Sequence, residues 1–439
     1  MRRDRLIILL LAAGLSAHAE SYSQILRALD KSALMQSLRE NERAAALQSR
    51  AERAKTLPRL DLDFSAARLK ETPVMYLHFP SLPTPTDALP MGSDTPFNGS
   101  LRLSYPLFTG YALSAKIKES ELGEAIARLK RLDAKRNLYL QTARLYGAVT
   151  AQKAAIKAQK AALKAIKAAY KKAKGLYETG LIPPSELYNI EAQTYRFEAD
   201  LAEAKSQKES LLNRLSALLG RPVGKIDPLP KNKTPLSLKK LLRDAINNRE
   251  DLAALRQEVA RSQNGITLAK SRLYPTVILT AALARQGDSP ALDGDGYTNA
   301  DLSYVGGTVS WNLFHGGSDR YTIEAARAQA LSRQWLVNDY ENRIKAEVKN
   351  AYLRLKTLQK RVASAQKERV AREAYWRLTK GRFENRLASA DELSRAVADL
   401  ASARAKESVL ESEIFTQRQT LLLTAGLKTF SDQPDVLKP

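Results

Sequence analysis

Four short stretches of the chain alternate apolar and polar residues with a period of two. Leu60, Leu62, Phe64 and Ala66 interleave with Asp61, Asp63 and Ser65, and Leu101, Leu103 and Tyr105 interleave with Ser100, Arg102 and Ser104. Farther on, Val277, Leu279, Ala281 and Leu283 share one face of a third stretch, and Val309, Trp311 and Leu313 share one face of a fourth. One apolar and one polar face over about ten residues predicts strands at about 58–68, 98–108, 275–285 and 302–314, either half-buried in a soluble sheet or facing lipid. The segments between the paired stretches, FPSLPTPTDALPMGSDTPFNG and RQGDSPALDGDGYTNAD, have the composition of loops.

The rest of the chain reads as helix. No proline occurs between Pro106 and Pro183 or between Pro290 and Pro434, and both windows are rich in Ala, Leu, Lys, Arg, Glu and Gln. Such windows predict helices of about 65 residues, roughly 100 Å each, longer than an ordinary domain is wide. They fall at about 111–178 and 317–384, and shorter partners follow at about 185–219 and 390–425. PLFTG at 106–110 returns as NLFHG at 312–316, YETGLIPPSEL at 177–187 as FENRLASADEL at 383–393, and Gly220 as Gly426, all at one offset of 206 residues. The chain is therefore two copies of one plan, at 20–220 and 236–426, with a linker at 221–235 and a tail at 427–439.

Composition places this plan outside the cytoplasm. Arg2, Arg3 and Arg5 precede the apolar run LIILLLAAGL, which ends at Ala17-His18-Ala19, the pattern of a secretory signal peptide over 1–19. No later stretch approaches the roughly 20 apolar residues of a spanning helix. Cysteine is absent, which excludes a disulfide framework, a thiolate metal site and a lipidated N-terminal cysteine. The net charge of +23 would ordinarily suggest nucleic acid, but an exported chain rarely meets its own cell's DNA, so no nucleic-acid partner is expected. Four strands cannot close into a barrel, and a bilayer does not tolerate unpaired edges, so these strands enter a membrane only if several chains pool them.

The ordered set of helix, strand, loop, strand, long helix, tight turn and long helix, given twice behind a signal peptide, resembles the TolC-type outer membrane factors over essentially the whole mature chain. The segment LSLKKLLRDAINNREDLAALRQEVARSQNGITLAKSRLYPTVILTA at 236–281, with its NRxDL and LxP elements, resembles the opening of that family's second repeat. The resemblance implies a mainly α fold with a small membrane β-barrel: a homotrimer whose strands, four per chain, form one twelve-stranded barrel in outer-membrane lipid, continued by a periplasmic helical tunnel. It implies a passive exit duct, met by a periplasmic adaptor (membrane fusion) protein and powered by an inner-membrane transporter of RND, ABC or MFS type. Efflux of small molecules or metal ions is the leading expectation, export of protein by a dedicated ABC transporter is the second, and a periplasmic structural coiled coil, or a basic nucleic-acid-binding helical protein, is the alternative from another class.

Candidate residues follow from that plan. The turns at 178–185 and 384–391 join the long helices; Gly180 suits a left-handed helix end, and Pro183 and Pro184 suit the next helix start. They are either plain turn chemistry or, as the resemblance implies, adaptor contacts through Gly180, Leu181, Ser185 and Leu387. The resemblance also makes Asp391, Arg386 and Ser394 periplasmic gate candidates, although an acid early in a helix equally favours the macrodipole. Tyr105, Phe108, Tyr304, Trp311 and Phe314 cluster where strands meet helices, as an interfacial belt or as core. In AQKAAIKAQKAALKAIKAAYKKAK, Lys153, Lys157, Lys160, Lys164, Lys167, Lys171 and Lys174 recur with a period of 3.5, one narrow charged stripe facing either bore or exterior. Beside it, Ile156, Leu163, Tyr170 and Tyr177 predict the seam of large packed side chains.

Catalysis finds little support. Of three histidines, His18 falls in the signal, His78 in a loop, and His315 in NLFHGG, whose glycines lack an accompanying G-x-S-x-G nucleophile turn. No paired histidines or cysteines suggest a metal, and no cofactor is expected.

Overall fold

The computed structural model describes residues 19–76, 88–230 and 235–427. The signal-peptide reading, apart from Ala19, lies outside the described residues, as do His18, His78 and most of the tail. Helices α1 (Tyr22–Leu29) and α2 (Ala33–Ala54) lead to strand β1 (Arg59–Ala66), the short pair β2 (Val74–Tyr76) and β3 (Ala88–Pro90), strand β4 (Phe97–Thr109), and helices α3 (Ala112–Glu178) and α4 (Pro184–Leu219). The second half runs α5 (Leu238–Asn248), α6 (Glu250–Lys270), a 3₁₀ turn at Ser271–Leu273, β5 (Thr276–Gly287), β6 (Tyr304–Ser310), α7 (Ser318–Glu384) and α8 (Ala390–Thr424).

Backbone chirality sets the ends of these helices at the 206-residue spacing. Gly110 (φ 60°) and Tyr111 (φ 68°) turn β4 into α3, and Gly316 (φ 57°) and Gly317 (φ 80°) occupy the equivalent corner before α7. Glycine takes positive φ at no steric cost, so Tyr111 is the strained member of that quartet. Between the corner and the far turn nothing breaks either helix, and α3 and α7 are both 67 residues long.

The chain divides into two compact units. One, Glu40–Leu129 with Ala254–Asn338, carries a sheet of order β1-β4-β5-β6, antiparallel throughout. Its register sets Leu62 opposite Leu101, Leu101 opposite Leu283, Leu103 opposite Ala281 and Ala281 opposite Val305, so one face is apolar across all four strands. The register shifts between Pro106 and Phe108, and this returns Phe108 to the apolar side opposite Val277. β6 stops at Ser310 rather than reaching 314, because its partner β5 begins at Thr276, directly after Pro275, and offers nothing farther to pair with. β2, which precedes the proline-rich segment, pairs antiparallel with β3, which falls on a stretch whose composition predicts loop.

The other unit, which includes Lys130–Ala253 and the described chain from Asp339 on, is built from helices. One core gathers Tyr22, Ile25 and Leu29 of α1, Leu138 and Tyr146 of α3, Leu215 of α4 and Phe415 of α8. Tyr22 meets Tyr146 and Phe415 edge-on, with centroids 5.4 and 5.2 Å away. A second core lies beside the turns, where Ile166 and Ala169 of α3, Ile190 and Phe197 of α4, Phe383 of α7 and Val397 of α8 pack together. Here the seam differs from the sequence expectation. Over this stretch of α3 the buried positions are Ala158, Ala162, Ile166, Ala169 and Ala173, while Leu163 and Tyr170 are half-buried against the same core, Ile156 is half-buried and Tyr177 is exposed. Alanine, with no side chain beyond Cβ, is what fits where helices approach closely.

Candidate functional site

The two helix turns are built alike. Gly180 donates its backbone N–H to the Tyr177 carbonyl and Leu181 to that of Leu176, both at 2.8 Å, closing α3 with a Schellman motif. Arg386 and Leu387 repeat the pattern on the Phe383 and Arg382 carbonyls at 3.1 and 2.7 Å. Arg386 thus holds a left-handed position (φ 62°) that glycine takes in the first turn (φ 71°). Ser389 caps α8 by accepting from the Glu392 N–H, while α4 starts at Pro184 with Pro183 as its cap residue. Leu181, Ser185 and Leu387 are exposed at these ends, as are Gly180 and Arg386.

The charges beside the second turn are largely matched. Asp391 lies 2.5 Å from Arg395, and Glu392 lies 3.0 Å from Arg382, whose guanidinium also donates to the Leu387 carbonyl. Arg386 has no ion pair among the described residues. Ser394 is buried within α8's packed face. The structure therefore brings Asp391 together with Arg395, not with Arg386 or Ser394.

The apolar sheet face is exposed along its length: Leu62, Leu283, Val305 and Val309 are all more than two-thirds exposed. β1 and β6 are its unpaired edges. No helix among the described residues is long and apolar enough to cross a membrane. Of the aromatic candidates, Tyr105 and Phe108 lie on the apolar face, but Tyr304 pairs with Ala282 and so falls on the opposite one. Trp311 donates its indole N–H to the Leu273 carbonyl at 3.1 Å, and Phe314 is almost fully exposed. Sequence reading overlooked Tyr111 and Tyr274, which extend Phe108 into a chain of edge-on rings with centroids 5.4 Å apart.

All seven lysines of the α3 stripe are exposed. Two have specific partners: Lys153 donates to the Ile226 carbonyl at 2.8 Å, and Lys167 lies 2.5 Å from Glu198 on α4.

A buried ionic network also escaped the sequence, although its NRxDL motif was visible. Arg249, 4% exposed, contacts Asp251 at 2.5 Å and Glu347 of α7 at 2.7 Å. Asp251 further accepts from Arg136 of α3 at 3.0 Å and from the Tyr340 hydroxyl at 2.7 Å. Burial alone would raise the Asp251 pKa, but the Arg249 hydrogen bond and the Arg136 charge outweigh it and hold the carboxyl at about 2. Burial and the neighbouring Asp251 push Tyr340 up to about 12. The partners stand 98 and 115 residues away, so no local pattern announces them. The network joins α3, the α5–α6 junction and α7 within the helical unit.

Several solved structures have a similar fold. They include the outer membrane protein VceC of Vibrio cholerae, at 18% identity over 92% of this chain and 96% of that one with a TM-score of 0.75. The CmeC outer membrane channel of Campylobacter jejuni matches at 17% identity over 92% and 85%, TM-score 0.76. The open state of the Neisseria gonorrhoeae MtrE outer membrane channel matches at 17% over 92% and 89%, TM-score 0.73. Identities this low speak for the fold: a mainly helical chain with a small sheet. No curated protein sequence matches the chain. The sequence profile described as "Outer membrane efflux protein" matches residues 25–221 and again 241–427, one match to each repeat. The chain accordingly belongs to the outer membrane efflux protein family.

Proposed function

We propose that this protein is the outer-membrane exit duct of a tripartite export system. Three copies pool their four-stranded sheets into one twelve-stranded barrel, and their long helices continue it as a periplasmic tunnel. A periplasmic adaptor meets the turns around Gly180 and Leu387, and an inner-membrane transporter supplies the energy. Small molecules or metal ions are the favoured cargo, in keeping with the efflux family and with solved relatives named as channels.

The observation that carries this reading is the sheet: apolar and exposed on one face, with two free edges. An exposed apolar face of that size needs a cover, and free edges need partners. An even number of antiparallel strands lets β6 of one copy join β1 of the next without breaking the alternation. Lipid and sister chains satisfy both demands at once. The test is fractionation followed by reconstitution. The protein is expected in the outer membrane as an assembly of three chains that conducts ions across a planar bilayer; a water-soluble single chain without conductance would contradict the proposal.

A further inference from the structure

A cleft of about 330 Å³ opens within the helical unit, between α3 on one side and α7 with α8 on the other. Its α3 wall is alanine, including Ala161, Ala165 and Ala168, and its far wall is Trp376, Phe383, Val397 and Leu400. Alanine leaves α3 a flat strip, and the larger side chains opposite do not reach across to fill the space. Cavities of about 300 to 1,000 Å³ between helices are the usual size for small-molecule sites.

Cations surround this apolar floor. Lys164 and Lys172 come from α3, Lys380 from α7 and Arg404 from α8, against the single carboxylate of Glu384. That carboxylate is already engaged by Lys380 at 3.7 Å, and the Glu384 backbone carbonyl accepts from Lys172 at 3.0 Å. Arg404 stands 3.6 Å from Glu373, a carboxylate it shares with Arg369 and Arg377. Lys164 makes no ion pair among the described residues. Lys380 lies over the Trp376 ring, 5.9 Å from its centroid, so charge and aromatic surface meet at one edge.

We propose that this cleft binds a small amphipathic anion, a hydrocarbon or aromatic body bearing one carboxylate, sulfonate or sulfate. The apolar walls take the body, the basic rim takes the head, and the same rim repels a cationic amphiphile of equal size. The α3 wall of the site has no counterpart on α7. On α7 the residues equivalent to Ala161, Lys164 and Lys172 are Lys367, Val370 and Leu378, which carry neither the flat strip nor the flanking charges. All of its lining lies within the helical unit.

The probe is decanoate, with decyltrimethylammonium as its charge-reversed counterpart, titrated into the full-length protein in non-ionic detergent. Replacing Trp311 and Trp335 by Phe leaves Trp376 as the only indole, and its fluorescence reports the cleft directly. Decanoate is expected to give a saturable change, and the cation none. Lys164→Glu, at an exposed position that leaves the fold intact, should weaken decanoate at least about tenfold, the loss of one charge-assisted contact. Ala165→Phe, which fills the cleft, should abolish the response. A non-saturable change, or an unaltered affinity in Lys164→Glu, would overturn the proposal. So would equal responses to both amphiphiles, which would mark an apolar groove suited to a protein segment.

Discussion

Arg386 carries a backbone conformation that its own family of turns assigns to glycine. Gly180, Gly220 and Gly426 all end helices at positive φ, and Arg386 does so at 62° with a Cβ in the way. A left-handed residue other than glycine costs roughly 1–2 kcal/mol. Arg386→Gly is therefore expected to stabilise the protein by about 1 kcal/mol, read by chemical denaturation, provided the glycine's extra freedom in the unfolded chain offsets only part of the gain. Asp251 gives the acid limit of the helical unit. Its folded pKa of about 2 lies below the ordinary 3.8, so it contributes stability that is full above about pH 4 and is lost as pH falls through about 2. That contribution is roughly 2 kcal/mol. Asp251→Asn should lower stability at pH 7 and flatten the decline between about pH 4 and 2; an unchanged acid profile would show that another carboxylate sets it.

At the scale of elements, α3 shows what sequence makes visible and what it hides. Its length was legible because proline is absent and helix formers fill the window, and its repeat in α7 was legible because the corner and turn motifs recur at one spacing. Its packing was not. Large side chains at Ile156, Leu163, Tyr170 and Tyr177 suggested the seam; Leu163 and Tyr170 do flank the core, but the positions that helix neighbours cover fully are alanines with Ile166, because small residues permit close approach. Ile166→Ala should cost about 2–4 kcal/mol, and Tyr177→Ala, at an exposed position, under about 1. Equal losses would restore the large-residue seam. The strands followed the same logic: alternation located them, while the end of β6 was fixed by Pro275 before β5. The partners of Arg249 and the pairing of Asp391 with Arg395 are set by tertiary contacts and by rotamers, which a linear pattern does not encode.

At the scale of the whole molecule, the mainly helical two-repeat plan could be read from the chain, and its family confirms the class of object to which it belongs. The step from one chain to a duct rests on sheet closure between copies, and the sequence offers a clean way to test it because it contains no native cysteine. Single cysteines placed along β1, at Asp61 or Asp63, are combined with single cysteines along β6, at Gly306 or Thr308, in cells making the full-length protein. The two edges lie at opposite sides of the four-stranded sheet, so a disulfide between them must join different copies. Oxidation is predicted to give covalent dimers and closed trimers, with no larger species, for the pair in register; monomers alone for every pair, or an unbounded ladder, would contradict a closed three-chain barrel.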